Sequence, residues 1–156
     1  MPEVTLVQAV NMALKRAMED DDSVVILGQD IGIHGGVFRA TDGLYQRFGG
    51  DRVLDTPLAE TAIGGLAFGM AAQGMRPVCE IQFLGFLYPV FDTLVNHAAR
   101  LRTRTRGRLS CPMTLRVTHG GGVRAPEHHS EAVESMLAHV PGLRVVIPSS
   151  PREAYG

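Results

Sequence analysis

The sequence predicts an α/β fold, a mostly parallel sheet with helices on both faces. Three observations point there. Short apolar runs at 24–28, 52–54, 77–82, 114–117 and 143–147 read as strands. Segments with helical spacing lie between them, and strands separated by helices pair in parallel. A chain of 156 residues has the size of one domain with a core of its own.

The elements can be justified in order. Thr5 can cap a helix whose apolar positions Leu6, Ala9, Val10, Ala13, Leu14 and Ala17 follow the 3.6-residue period. The acidic run Glu19 to Asp22 opposes the negative pole of a helix C-terminus, so it reads as a solvated turn. A buried strand at 24–28 leads into a glycine-rich loop at 29–39 and a short helix near 41–48. Pro57 closes the strand at 52–54, and a helix of small residues follows at 60–73. After the strand at 77–82, a long helix is expected near 86–102, with Leu87, Val90, Phe91, Leu94, Val95 and Ala98 on one face. Pro89 sits in its first turn, where proline is tolerated. The strand at 114–117, a loop at 119–129, a helix at 131–138 and a strand at 143–147 complete the pattern. Ser150-Pro151-Arg152-Glu153 has the form of a capping box with proline at the first helical position.

Composition narrows the function classes. A net charge of −1 gives no general attraction to polyanions, so nucleic acid is not an expected partner. No apolar run approaches the ~18 residues of a membrane span. The start, Met1-Pro2-Glu3, lacks the basic and apolar regions of a leader, and two cysteines make no disulfide framework. A cytoplasmic protein is expected.

Several constellations compete for chemical meaning. Glu60 stands at the mouth of a helix made of small and apolar residues. A carboxylate so placed is expected to be poorly solvated, which favours its protonated form and suits it to moving protons. The plain alternative is a first-turn Glu favoured by the helix dipole. Gly120-Gly121-Gly122 lacks the Lys-Ser/Thr of a phosphate loop, and the glycines at 28–36 lack Gly-x-Gly-x-x-Gly spacing. Glu127-His128-His129-Ser130-Glu131 looks like a metal cluster, but adjacent histidines cannot both face one ion in a regular element. Arg100, Arg102, Arg104, Arg106 and Arg108 scatter charge around a helix end; an interface with a partner subunit is the alternative.

Four stretches carry a resemblance. They are 32–44 (Gly-Ile-His-Gly-Gly-Val-Phe-Arg-Ala-Thr-Asp-Gly-Leu), 52–60 (Arg-Val-Leu-Asp-Thr-Pro-Leu-Ala-Glu), 76–83 (Arg-Pro-Val-Cys-Glu-Ile-Gln-Phe) and 139–149, from His-Val-Pro-Gly-Leu to Pro-Ser. In collinear order they resemble the β subunit of the E1 component of 2-oxoacid dehydrogenase complexes, over nearly the whole chain. The fold this implies is the transketolase-like pyrimidine domain of thiamine diphosphate enzymes. The resemblance implies that Glu60 hydrogen-bonds N1′ of the cofactor's aminopyrimidine and so promotes loss of the thiazolium C2 proton. It implies that Phe86 packs on the pyrimidine, that Leu58 lines the same pocket, and that His129 stands near C2. It places a potassium ion near Cys111, Met113 and Thr114.

The resemblance also carries a reaction, the decarboxylation of a 2-oxoacid and transfer of its acyl group to lipoyl groups of the E2 acyltransferase. His129-Ser130-Glu131-Ala132-Val133-Glu134, with Glu127-His128 before it, is similar to some branched-chain members, which favours branched-chain substrates over pyruvate. No Gly-Asp-Gly segment occurs among the 156 residues. Diphosphate and Mg²⁺ are therefore expected on an E1 α subunit, with a second β subunit completing the assembly. The expected domain is 1–156, cut short in its final helix and without the C-terminal transketolase-type domain. Two other classes remain in view: a non-catalytic assembly module and a nucleotide-binding α/β protein.

Overall fold

The structure is a computed structural model that describes residues 3–156. Met1 and Pro2, part of the stretch on which the expectation of no leader rested, lie outside the described residues. Helix α1 (Leu6–Asp20) is capped at Thr5, whose hydroxyl accepts from the Gln8 N–H while the Gln8 side chain reaches back to the Thr5 N–H. This reciprocal box satisfies two donors that a helix start leaves free. The helix runs through Glu19 and Asp20, further than the sequence suggests. Arg16 pairs with Asp20 at 2.7 Å and Arg47 with Glu19, which offsets their repulsion from the helix pole. Asp21 ends the helix and turns the chain by accepting from Ser23 N–H and Oγ at 2.8 and 2.6 Å.

Four strands form the sheet: β1 (Val24–Gln29), β2 (Val53–Thr56), β3 (Arg76–Phe83) and β4 (Thr114–Thr118). Their order is β2-β1-β3-β4 and every pairing is parallel. Residues of alternate parity feed two cores, as a strand's two-residue period requires. Val24 and Ile26 join Leu14, Met18, Leu44 and Val53 on the α1 face. Leu27, Cys79 and Ile81 join Ile63, Ala67, Leu87, Val90 and Leu94 on the other, under α3 (Glu60–Ala72). Helices on both faces of a parallel sheet are the expected architecture.

Between β1 and β2 the chain makes a compact glycine-rich loop and the short α2 (Leu44–Phe48). The amides that could cradle a phosphate are committed inside this loop. Gly32 N–H donates to Asp55 Oδ1 at 2.7 Å, Gly35 to Gly32, and Gly36 to Asp30.

The long helix expected near 86–102 is helical in backbone but not in one register. Two 3₁₀ turns at Leu84–Phe86 and Tyr88–Val90 lead into a π-helical stretch, Thr93–Ala98, and then α4 (Leu101–Arg104). Pro89 has no N–H to donate, so an α ladder cannot run through the turn it occupies. Further on, Ala99 N–H reaches back five residues to Leu94, the wide turn of a π-bulge. The arginines that follow cap carbonyls: Arg100 bonds Val95 O at 3.1 Å and Arg104 bonds Asn96 O at 2.8 Å. They behave as a helix end.

The last third departs most from expectation. Helix α5 spans only Glu134–Ala138, because the Glu131 carbonyl is taken by Gly120 N–H at 3.0 Å. Residues 143–147 form no strand. Leu143 packs on the α3-side core, while Val146 and Ile147 point outward, so this apolar run belongs to open surface. Helix α6 (Pro151–Tyr155) forms as expected, with Ser150 accepting from Glu153 N–H. The Glu153 carboxylate bonds Ser149 rather than Ser150. A single turn is not self-sustaining, and this one is held by packing against α1.

Candidate active site

Parallel strands put all their carboxyl ends on one edge of the sheet. In open α/β sheets that edge binds ligands, at the point where the chain reverses its direction of strand addition. Here that point lies between β1 and β3. Leu58 and Glu60 follow directly after β2, Phe86 follows β3, and His129 lies in the connection after β4. Three different strands thus deliver the candidate residues to one edge.

Glu60 is the first residue of α3 and is half-buried. The Ala59 that precedes it has no side chain to cap the helix, so the first-turn amides stay free of a side-chain partner. Thr61 Oγ donates to the Pro89 carbonyl at 3.3 Å, tying the start of α3 to the turn after β3. A Cβ at Gly64 would overlap Val90, so α3 lies directly on that turn. The apolar cover expected around Glu60 is open on this chain. Leu58 is 71% exposed, with Ile33 and Val37 also exposed. Thr56 Oγ1, at the end of β2, is buried without a hydrogen-bond partner.

An aromatic cluster sits beside this opening. The His129 ring lies 4.5 Å from Phe83 and 5.2 Å from Phe86, edge-on to both. Phe83 also meets Phe86 at 5.7 Å and Phe38 of the glycine-rich loop at 5.5 Å. His129 Nδ1 is 2.8 Å from the Glu127 carbonyl. A carbonyl only accepts, so Nδ1 carries the proton and the neutral ring keeps its lone pair on Nε2. The structure therefore brings His129 and Phe86 together, with Glu60 at the start of a helix packed on the next turn, Tyr88–Val90.

Cys111, Met113 and Thr114 lie elsewhere. Thr114 begins β4, at the amino edge of the sheet, opposite Glu60, Phe86 and His129. Met113 packs against the α3-side core. Burial pushes the Cys111 thiol up and holds it protonated, so a hard cation there would depend on carbonyl and hydroxyl oxygens. Among the described residues, no three His, Cys, Asp or Glu side chains gather as a metal site, and the Glu127 to Glu131 run is no exception.

Sequence reasoning missed Phe83, which packs on His129, Phe38, which packs on Phe83, and the pair Glu80–Arg116 beneath the glycine-rich loop. Phe83 and Phe86, three apart, were the available signal. Glu80 and Arg116 gave none, because they are 36 residues apart in sequence.

The profile of the family described as transketolase, pyrimidine binding domain, matches residues 2–156. The chain belongs to this family. The pyrimidine-binding domain is also 54% identical, over all 156 residues, to the pyruvate dehydrogenase E1 component subunit beta of Acholeplasma laidlawii. It is 53% identical to the protein of the same name from Staphylococcus aureus and 54% to that of Staphylococcus epidermidis. Each match covers 100% of this chain and 48% of the relative, so the chain spans about half the length of the curated relatives it matches. The resemblance to E1 β subunits holds. Among solved structures, a split gene transketolase, an inactive β4 tetramer, superposes with a TM-score of 0.72 at 20% identity, over 99% of this chain and 46% of that one. It shows the fold of the pyrimidine-binding domain. No helix among the described residues is long and apolar enough to cross a membrane.

Proposed function

We propose that this pyrimidine-binding domain serves the β subunit of an E1 component in a thiamine-diphosphate-dependent 2-oxoacid dehydrogenase complex. One observation carries the reading. A carboxylate, an aromatic ring and an imidazole leave three strands at one edge, in a chain 54% identical to a pyruvate dehydrogenase E1 β subunit. The residues suit a flat, polar heteroaromatic ring. Phe86 offers a face, Glu60 a hydrogen-bonding carboxylate, and the orphan Thr56 hydroxyl a further polar contact. Leu58 and its exposed apolar neighbours supply the wall.

Thiamine diphosphate, when bound, supplies the electron sink for decarboxylation. Glu60 holds the pyrimidine nitrogen and shares its proton. Phe86 fixes the ring plane. His129, with Nε2 free, accepts or returns a proton where the substrate reacts. Diphosphate and Mg²⁺ would rest on an α subunit, and E2 lipoyl groups would be the acceptors of the acyl group. A potassium ion, when bound, would be held by carbonyl and hydroxyl oxygens near Cys111, Met113 and Thr114, at the far edge.

The sequence favours branched-chain oxoacids, but the relatives named above are pyruvate dehydrogenase subunits, and pyruvate is the substrate we assign. The test is co-expression with an α subunit and assay over a panel of 2-oxoacids. Pyruvate should turn over fastest. Activity on no oxoacid in the assembled enzyme would favour the assembly-module reading, and tight dinucleotide binding without thiamine diphosphate binding would favour the nucleotide reading.

A further inference from the structure

We propose that Gly85 is a positioning residue, whose missing side chain lets the loop between β4 and α5 seat His129 against Phe83 and Phe86. The inference rests on the role assigned above to His129. Gly85 is buried in the 3₁₀ turn at Leu84–Phe86, directly before Phe86. A Cβ there would overlap the His128 carbonyl oxygen and lie 2.9 Å from both the His128 carbonyl carbon and Glu131 Cγ. Real Cβ atoms do not approach backbone so closely, and the obstruction is a main-chain group next to His129. Its backbone is not left-handed, so an alanine fits Gly85's own conformation and strain falls on the loop alone.

Against the turn the loop sets the His129 ring and, at its end, Val133, which packs on the core cluster that includes Leu84 and Leu87. The loop's base is closed by Gly120 N–H to the Glu131 carbonyl and by His119 Nδ1 at 3.8 Å from Glu134. Those contacts tie the loop to itself. Arg124 and His128 both adopt positive φ, +55° and +69°, a backbone that non-glycine residues rarely take. The close approach at Gly85 sets this loop against the turn that follows β3. Pushing it outward by the radius of a methyl group lifts the imidazole off both phenylalanine rings while leaving the sheet unchanged.

The experiment is Gly85→Ala in the β polypeptide that carries these residues, assembled with its α subunit. Two readouts are taken. Hydrogen–deuterium exchange should rise in peptides covering 119–133 and stay level in β1 and β3. Turnover should fall about ten- to hundredfold, the scale of a reacting group displaced by about 1 Å, with cofactor affinity held. Gly50→Ala, whose added Cβ makes an ordinary 3.5 Å contact with Tyr45, should change neither. A double-mutant cycle separates positioning from general damage. In a His129→Ala background, Gly85→Ala should cost no further turnover. Unchanged exchange in 119–133, or full additivity with His129→Ala, would overturn the proposal. Raised exchange with normal turnover in both Gly85→Ala and His129→Ala would keep the seat and remove His129 from the reaction.

Discussion

Glu80 and Arg116 stand opposite each other in the register of β3 and β4, and their side chains form an ion pair on the α1 face of the sheet. Glu80 is 6% exposed, and its Oε1 would lie 3.4 Å from a Cβ on Gly36, so the pair supports the floor of the glycine-rich loop. Desolvation pushes the Arg116 guanidinium down to about 10, which leaves it charged at neutral pH. Breaking such a pair strands a buried charge, at a cost of about 3–5 kcal/mol, whereas an apolar pair of similar volume is close to neutral. Glu80→Leu and Arg116→Met should each lower stability in urea unfolding, and the double variant should recover most of the loss. Additive losses would show that the two side chains are not an energetic unit.

Glu60→Gln should preserve the fold, since the position is half-buried and the amide has nearly the size and shape of the carboxylate. An amide cannot share the pyrimidine proton in the same way. Turnover in the assembled enzyme should fall by ~10²–10⁴-fold, the usual range for losing a general acid–base group. Measured exchange of the cofactor's C2 proton should slow with it. Near-normal exchange would remove Glu60 from the proton path.

The sheet was legible because β1 and β3 are rich in buried apolar residues and β4 alternates Leu115 and Val117 with polar residues, and the start of α3 was legible because Glu60 opens a run of small residues. Three things were not. The π-helical stretch 93–98 depends on a hydrogen-bond register that apolar spacing does not encode, since Val90 and Leu94 are buried in either register. Residues 143–147 have strand composition, yet composition cannot say whether a partner strand is there to pair. His129 could be placed in the site only through resemblance, because its aromatic partners Phe83 and Phe86 are more than forty residues away in sequence. Long-range packing, which a single sequence does not contain, decided the last two.

His129→Ala should impair turnover while leaving thiamine diphosphate affinity close to that of the parent. The ring packs on Phe83 and Phe86 rather than on any charged group that could hold a diphosphate. Reductive acylation of a lipoyl domain should fall more than decarboxylation, if Nε2 serves the acyl-transfer step. A variant that loses cofactor affinity and keeps its turnover would reassign His129 to binding.

Acid should loosen two turns. Hydrogen bonds from the Ser23 side chain and backbone hold Asp21 below its ordinary carboxylate value. Bonds from the Ser149 backbone and side chain do the same for Glu153. A carboxylate whose folded value is depressed contributes stability that is complete above its unfolded value and lost as pH falls through the folded one. Asp21→Asn and Glu153→Gln should therefore flatten the decline of melting temperature below about pH 4 and leave the neutral plateau's shape unchanged. An acid limb as steep as the parent's in both variants would show that these bonds do not couple to folding.

Association should follow from what the chain leaves open. Ile33, Leu58, Leu66, Val146 and Ile147 are exposed, and large apolar side chains left open to water favour association. Helix α3 turns Ala62, Gly65, Leu66 and Gly69 outward, and a Cβ on Gly65 or Gly69 would meet nothing within 4 Å. That open face lets another backbone approach closely, most simply a second copy about a two-fold axis. Light scattering on the isolated chain should give a mass above the monomer that rises with concentration. Gly65→Arg separates this from instability. Replacing an exposed helical glycine should strengthen α3 by a few tenths to about 1 kcal/mol, while the long cation obstructs close approach. The variant should therefore melt higher and associate less. A parent that stays monomeric at high concentration, or a variant that associates as the parent does, would show that α3 is not the face that meets a partner.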